Sequence, residues 1–137
     1  GGYPKDINLY QAQKALDNAK HAVCDGGIII LLAACSEGYG EKVFEKWINA
    51  SGSPDDLING IKENFELGGH KAAAIALVEK KAKVFIVSDL PEEMSRKLYM
   101  EPCSSMSEAL DKAYSELGSD AGVLLMPHGG STLPVVR

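Results

Sequence analysis

The sequence has little of what most specialised proteins need. It holds three cysteines, Cys24, Cys35 and Cys103, widely spaced and without a CxxC pair. That argues against a disulfide framework and a zinc knuckle, and predicts three reduced, buried thiols. Its longest apolar run, Ile28 to Cys35, is far below the roughly 20 residues of a spanning helix. No Lys/Arg cluster interleaved with aromatics occurs, and the formal charge is -5, so a dedicated nucleic-acid binder is excluded. Gly-x-Ser-x-Gly is missing, and Gly38-x-Gly40 is too short for the GxGxxG dinucleotide fingerprint. His21 and Cys24 stand three apart on a predicted helix, but two ligands do not make a metal site.

What is present suits one domain of 137 residues, 45% hydrophobic and 24% charged. Ile28 to Ala34, Val84 to Val87 and Gly122 to Met126 are continuous apolar runs. They predict strands buried on both faces, as in a parallel sheet. Helical patterns lie between them. The expected fold is therefore α/β: a three-layer, Rossmann-like domain with a mostly parallel sheet of three to five strands and helices on both faces.

The first helix is predicted from Leu9 to Cys24, closed by Gly26-Gly27. Others are predicted over Glu41 to Asn49, from Ser53-Pro54 to Gly68-Gly69, and from His70 to Lys80. A short one starts at Pro91, and a capping box at Ser105–Glu108 opens a last one to Leu117. Trp47, with Val43, Phe44 and Ile48, reads as core, and the methionines as core filler.

On the first helix, Leu9, Ala12, Leu16, Ala19 and Val23 cluster within about 80° and form the stripe that packs on the sheet. Tyr10, Gln11 and Lys14 point about 170° away. They offer a ring, a neutral donor and acceptor, and a cation, a set able to hold a small carboxylate with an adjacent hydroxyl or carbonyl. The same three also make an ordinary solvated face, and Gln11, third after Asn8, also suits a helix cap. If the strands are parallel, four segments meet at one rim: this helix start, His70-Lys71, Ser36 to Gly40, and Pro127 to Thr132. Gly129-Gly130-Ser131 is either a plain turn or an anion cradle.

The run Gly1-Gly2-Tyr3-Pro4-Lys5-Asp6-Ile7-Asn8-Leu9-Tyr10-Gln11-Ala12-Gln13-Lys14 resembles the start of the C-terminal domain in the nickel-pincer lactate racemase family. Gly26-Gly27-Ile28-Ile29, Ala34 to Gly40, Gly68 to Ala72 and Met126-Pro127 extend the likeness over the whole chain. The resemblance implies that residues 1–137 are a single α/β domain, the C-terminal part of a larger enzyme. The opening Gly-Gly-Tyr-Pro, which reads as a loop, points the same way.

It also implies a nickel-pincer nucleotide held mainly by an absent N-terminal domain, with no cofactor or metal expected on this chain. That domain carries the family's histidines, so no complete catalytic set is expected here. The implied partners are that domain and a small 2-hydroxy acid, with no nucleic acid and no membrane, in the cytoplasm. By the same resemblance Gln11 and Lys14 bind substrate oxygens, Tyr10 lines the cofactor side, and His70 and Lys71 lie at the substrate. Some members carry a tryptophan where Lys71 stands, so other 2-hydroxy acids, bearing a second acidic group or hydroxyls, enter the expectation. The alternative is a stand-alone α/β module that binds a small anion without catalysis.

Overall fold

The computed structural model describes residues 1–135. Its elements run α1 (Leu9–Ala19), β1 (Ile28–Leu32), α2 (Lys42–Ala50), α3 (Pro54–Glu63), α4 (Gly69–Lys81), β2 (Lys83–Val87), α5 (Glu92–Lys97), β3 (Glu101–Pro102) and α6 (Met106–Leu117), with a 3-10 turn at Gly129–Ser131. The sheet order is β1-β2-β3 and both pairs are parallel, with Ile28 opposite Lys83 and Phe85 opposite Glu101.

Alternation along the strands divides the core into two layers. Ile29, Leu31, Val84 and Ile86 join the large cluster under α1 and α4, with Leu9, Leu16, Ile75 and Val78. Ile28, Ile30, Phe85 and Val87 face the other way, onto Ala109 and Ala113 of α6 and onto Cys103. Helices thus cover both faces, which is why the strands read as unbroken apolar runs. No helix among the described residues is long and apolar enough to cross a membrane.

Local chemistry sets the helix starts. Asn8, Glu41, Ser53 and Ser105 each accept a backbone N–H of their own first turn. The box at α6 is offset: the Glu108 carboxylate accepts from the Ser104 N–H at 2.7 Å rather than from Ser105.

Several expectations fail, each for a reason outside the local pattern. Gly122 to Met126 is not a strand; among the described residues no neighbour pairs with its backbone, and Val123, Leu124 and Leu125 are 61%, 66% and 69% exposed. The third strand is instead Glu101–Pro102, paired to β2. The first helix stops at Ala19, because Lys81 donates to the Lys20 carbonyl at 2.7 Å and tight turns follow. Val23, His21 and Cys24 therefore lie beyond it, and Cys24 is exposed while Cys35 and Cys103 are buried. Helix α3 ends at Glu63, since the Glu66 carboxylate is drawn to Trp47 Nε1 at 2.6 Å. Trp47 does pack against the core as expected, though only partly buried, whereas Met106 is exposed.

Candidate functional site

The first turn of α1 is where the segments meet. The Leu9 and Tyr10 N–H groups donate to the Gly38 and Tyr39 carbonyls at 3.0 and 3.1 Å. Gln11 N–H donates to Asn8 Oδ1 at 3.0 Å. Gly38 and Gly40 sit at φ 67° and 83°, a region that favours glycine. A Cβ on Gly40 would lie 2.1 Å from Asn8 Cγ, so the loop presses directly on the cap.

With Asn8 capping the helix, the Gln11 side chain is free, and its Oε1 accepts from Lys14 Nζ at 3.1 Å. Its amide N–H groups are left as donors. Lys14 is exposed and Gln11 half-buried. Tyr10 departs from the expected outward trio. Its ring is half-buried, edge-on to Phe44 with centroids 5.6 Å apart.

Lys71, from the start of α4, covers that ring. Its Nζ lies 3.8 Å from the ring centroid and donates to the Tyr10 carbonyl at 2.9 Å. Partial burial holds its pKa below the ordinary lysine value; the charge of Lys14 lowers it further, and Asp17 opposes them. His70 does not join this group. Its Nδ1 accepts from the Gly68 N–H at 3.0 Å and its ring lies 5.7 Å from Phe65. Among the described residues no hydrogen bond joins it to α1.

On the other flank of α1, the 3-10 turn packs close. Gly129 sits where a Cβ would come within 3.2 Å of Ala15, and its carbonyl accepts from Asn18 Nδ2 at 2.7 Å. Lys5 Nζ donates to Ser131 Oγ at 2.8 Å. Between this turn and the opening loop lies a cavity of about 220 Å³, walled by Gly2, Pro4, Lys5, Gln11, His128 and Ser131. Gln11 stands between that cavity and the Lys14–Lys71 side. Sequence reasoning missed Lys5 and its bond to Ser131; 126 positions separate them, and only the tertiary path joins them.

No group of three His, Cys, Asp or Glu side chains suited to a metal ion occurs among the described residues. Burial, then the carboxylate of Asp6, pushes the Cys35 thiol up to about 12, which keeps it protonated in the chain as it stands. What the residues present provide is a side-chain donor set at a rim.

Fold and rim define a parallel α/β domain with ligand-type donors at the carboxyl edge of its sheet, where open α/β sheets bind. The sequence profile of the lactate racemase C-terminal domain matches residues 1–134. The chain belongs to that family. It is 32% identical to lactate racemase of Thermoanaerobacterium thermosaccharolyticum, over 97% of this chain and 32% of the relative. Against lactate racemase of Lactiplantibacillus plantarum the identity is 31%, over 94% of this chain and 32% of that protein. The structure of the lactate racemase apoprotein from Thermoanaerobacterium thermosaccharolyticum superposes with a TM-score of 0.89 at 31% identity, covering 99% of this chain and 33% of that one. The chain thus spans about a third of the length of the curated relatives it matches.

Proposed function

We propose that residues 1–137 are the C-terminal, substrate-clamping domain of a lactate or 2-hydroxy-acid racemase or epimerase acting by reversible hydride transfer. In this reading the domain is silent alone and closes against an N-terminal domain of the same cytoplasmic polypeptide. That other domain holds the nickel-pincer nucleotide, which supplies the hydride acceptor. The observation that carries the reading is the Gln11–Lys14 pair on the rim of a lactate racemase C-terminal domain.

The chemistry of the pair suits the task. The Lys14 ammonium has donors left for a carboxylate. Because Gln11 Oε1 is committed to Lys14, the Gln11 amide offers N–H donors to a carboxylate or hydroxyl oxygen. Tyr10 supplies a fixed wall, clamped by Phe44 and Lys71. Closure of a second domain over the rim excludes water and strengthens each of these contacts.

The test uses the full-length, cofactor-loaded enzyme with Lys14→Ala or Gln11→Ala, assayed by chiral separation of lactate. Each variant is expected to lose on the order of 10²-fold in kcat/KM, as for removal of a charge-assisted contact, while its melting curve stays in place. Racemisation at the unmodified rate in both variants overturns the site. Racemisation by the isolated domain overturns the division of labour.

A further inference from the structure

One edge of the sheet has the composition of an interior. β1 reads Ile28-Ile29-Ile30-Leu31-Leu32, without a charge, a proline or a break in its register with β2. Exposed edges are ordinarily blunted by such features. Ile28, Ile29 and Ile30 are only half-buried and Leu32 is 40% exposed. Val84, Phe85 and Ile86 of β2, which has a strand on each side, are fully buried.

The hydrogen bonds show which groups of β1 are open. Lys83 N–H donates to the Gly27 carbonyl and Ala33 N–H to the Val87 carbonyl, at 3.0 and 3.1 Å. In a parallel ladder alternate residues serve one neighbour, so Ile29 and Leu31 bond to β2 while Ile28, Ile30 and Leu32 face outward. Among the described residues one group meets this outer row: the Gly1 nitrogen, which donates to the Leu32 carbonyl. Gly1 therefore occupies a ladder position beside the end of β1.

Across the rim the order is β1, the opening loop, then the 3-10 turn. The Asp6 and Ile7 carbonyls accept from the Cys35 and Glu37 N–H groups on one side, and Lys5 Nζ reaches Ser131 on the other. One chain thus separates β1 from the turn into which residues 122–126 lead. Below the rim no described residue takes that place. Val123, Leu124 and Leu125 stay exposed, and a Cβ on Gly122 would meet nothing within 4 Å.

We infer that the residues directly preceding Gly1 in the full-length polypeptide form a strand parallel to β1, seated between its outer edge and residues 122–126. This rests on the reading of the chain as the C-terminal part of a longer protein, and not on the roles of Gln11 and Lys14. Chain direction agrees. A strand rising to Gly1, followed by α1 and then β1, is a parallel crossover with its helix on the face that α4 also covers. The β1–α4–β2 crossover steps across the sheet in the same sense on that face, so the two share one hand. Covered on both faces, the occupant is an uncharged apolar run matching the five residues of β1.

Single-residue amide exchange and cross-strand Overhauser contacts, in the deuterated full-length protein, test this. The Ile28, Ile30 and Leu32 amides should exchange on the order of 10²-fold or more slower than in a free chain. The same three residues, and Val123 to Leu125, should show contacts to the segment before Gly1. A proline at the second residue before Gly1 removes the donor that faces the Ile30 carbonyl. It should speed exchange at Ile30 and Leu32 by roughly 10-fold or more and leave Ile29 and Leu31, held by β2, little changed. Free-chain exchange at the three outer amides of the unmodified protein overturns the inference. So do contacts that run from them directly to Val123–Leu125, or to a second copy in a mixture of labelled and unlabelled protein. Should the proline variant not fold, the contacts in the unmodified protein decide alone. None of these readouts depends on racemisation, so the Gln11–Lys14 site stands or falls separately.

Discussion

Replacing Gly69 with alanine tests how the start of α4, and with it Lys71, is held in place. Gly69 is the first residue of α4, and its φ is not in the left-handed region. Backbone strain is therefore no obstacle, and a gain in helix propensity of up to about 1 kcal/mol is available. Opposing this, a Cβ at position 69 would lie 2.5 Å from Trp47 Cε2 and 2.6 Å from Cδ2 and Nε1. The indole has nowhere simple to go. Its Nε1 is bonded to Glu66 at 2.6 Å, and its far edge faces Gly60, where a Cβ would come within 3.0 Å of Cζ3. Overpacking against so confined a ring belongs at the upper end of the usual range, about 3 kcal/mol. The net expectation is a loss of about 2 kcal/mol, which moves a urea midpoint down by about 1 M. Trp47 is the single tryptophan, so its fluorescence reports the same place while far-UV circular dichroism follows the whole fold. A midpoint that holds or rises, with unchanged emission, refutes the reasoning and shows that the indole yields freely.

Two further outcomes follow from groups away from the rim. Glu79 has a buried carboxyl oxygen without a partner, and burial pushes its pKa up to about 8, with the Val84 backbone acting in the opposite direction. The folded state thus keeps a proton that the unfolded chain loses near 4.5, so stability is full below that value and declines as pH rises towards 8. Unfolding free energies from urea melts should be lower at pH 9 than at pH 5 by on the order of a few kcal/mol in the unmodified chain and nearly equal in Glu79→Gln; the same pH dependence in both counts against this. For the thiols, an aromatic disulfide reagent should modify Cys24 at once in the native chain, and Cys35 and Cys103 only on unfolding. Rapid reaction of two or three thiols contradicts the burial.

What was legible in the sequence was what short-range chemistry decides. Asn8, Ser53-Pro54 and Ser105 announced helix starts because a cap needs only its own first turn. The runs at Ile28 and Val84 announced strands between two helical layers because both alternating faces are apolar. The failures needed knowledge of a distant partner. Val123 to Leu125 has a strand's composition, but a strand exists only beside another, and none lies there among the described residues. Glu101–Pro102 has no strand pattern and pairs because the turn after α5 delivers it to β2. Gln11 and Lys14 were placed by helical spacing, which survives any tertiary context. Tyr10 was misplaced by the same spacing, since the wheel cannot show that α2 and α4 close over one side of the helix.

The backbone amides that open α1 are already spoken for by the carbonyls of the Gly38–Tyr39 loop and by Asn8. A phosphate loop writes its recognition into the main chain, where point substitutions can hardly revise it. Here the main chain is mute, and any vocabulary the rim possesses is spelled in side chains. Such lettering can be rewritten one codon at a time, so descendants of this scaffold are free to change what they admit while inheriting the same skeleton.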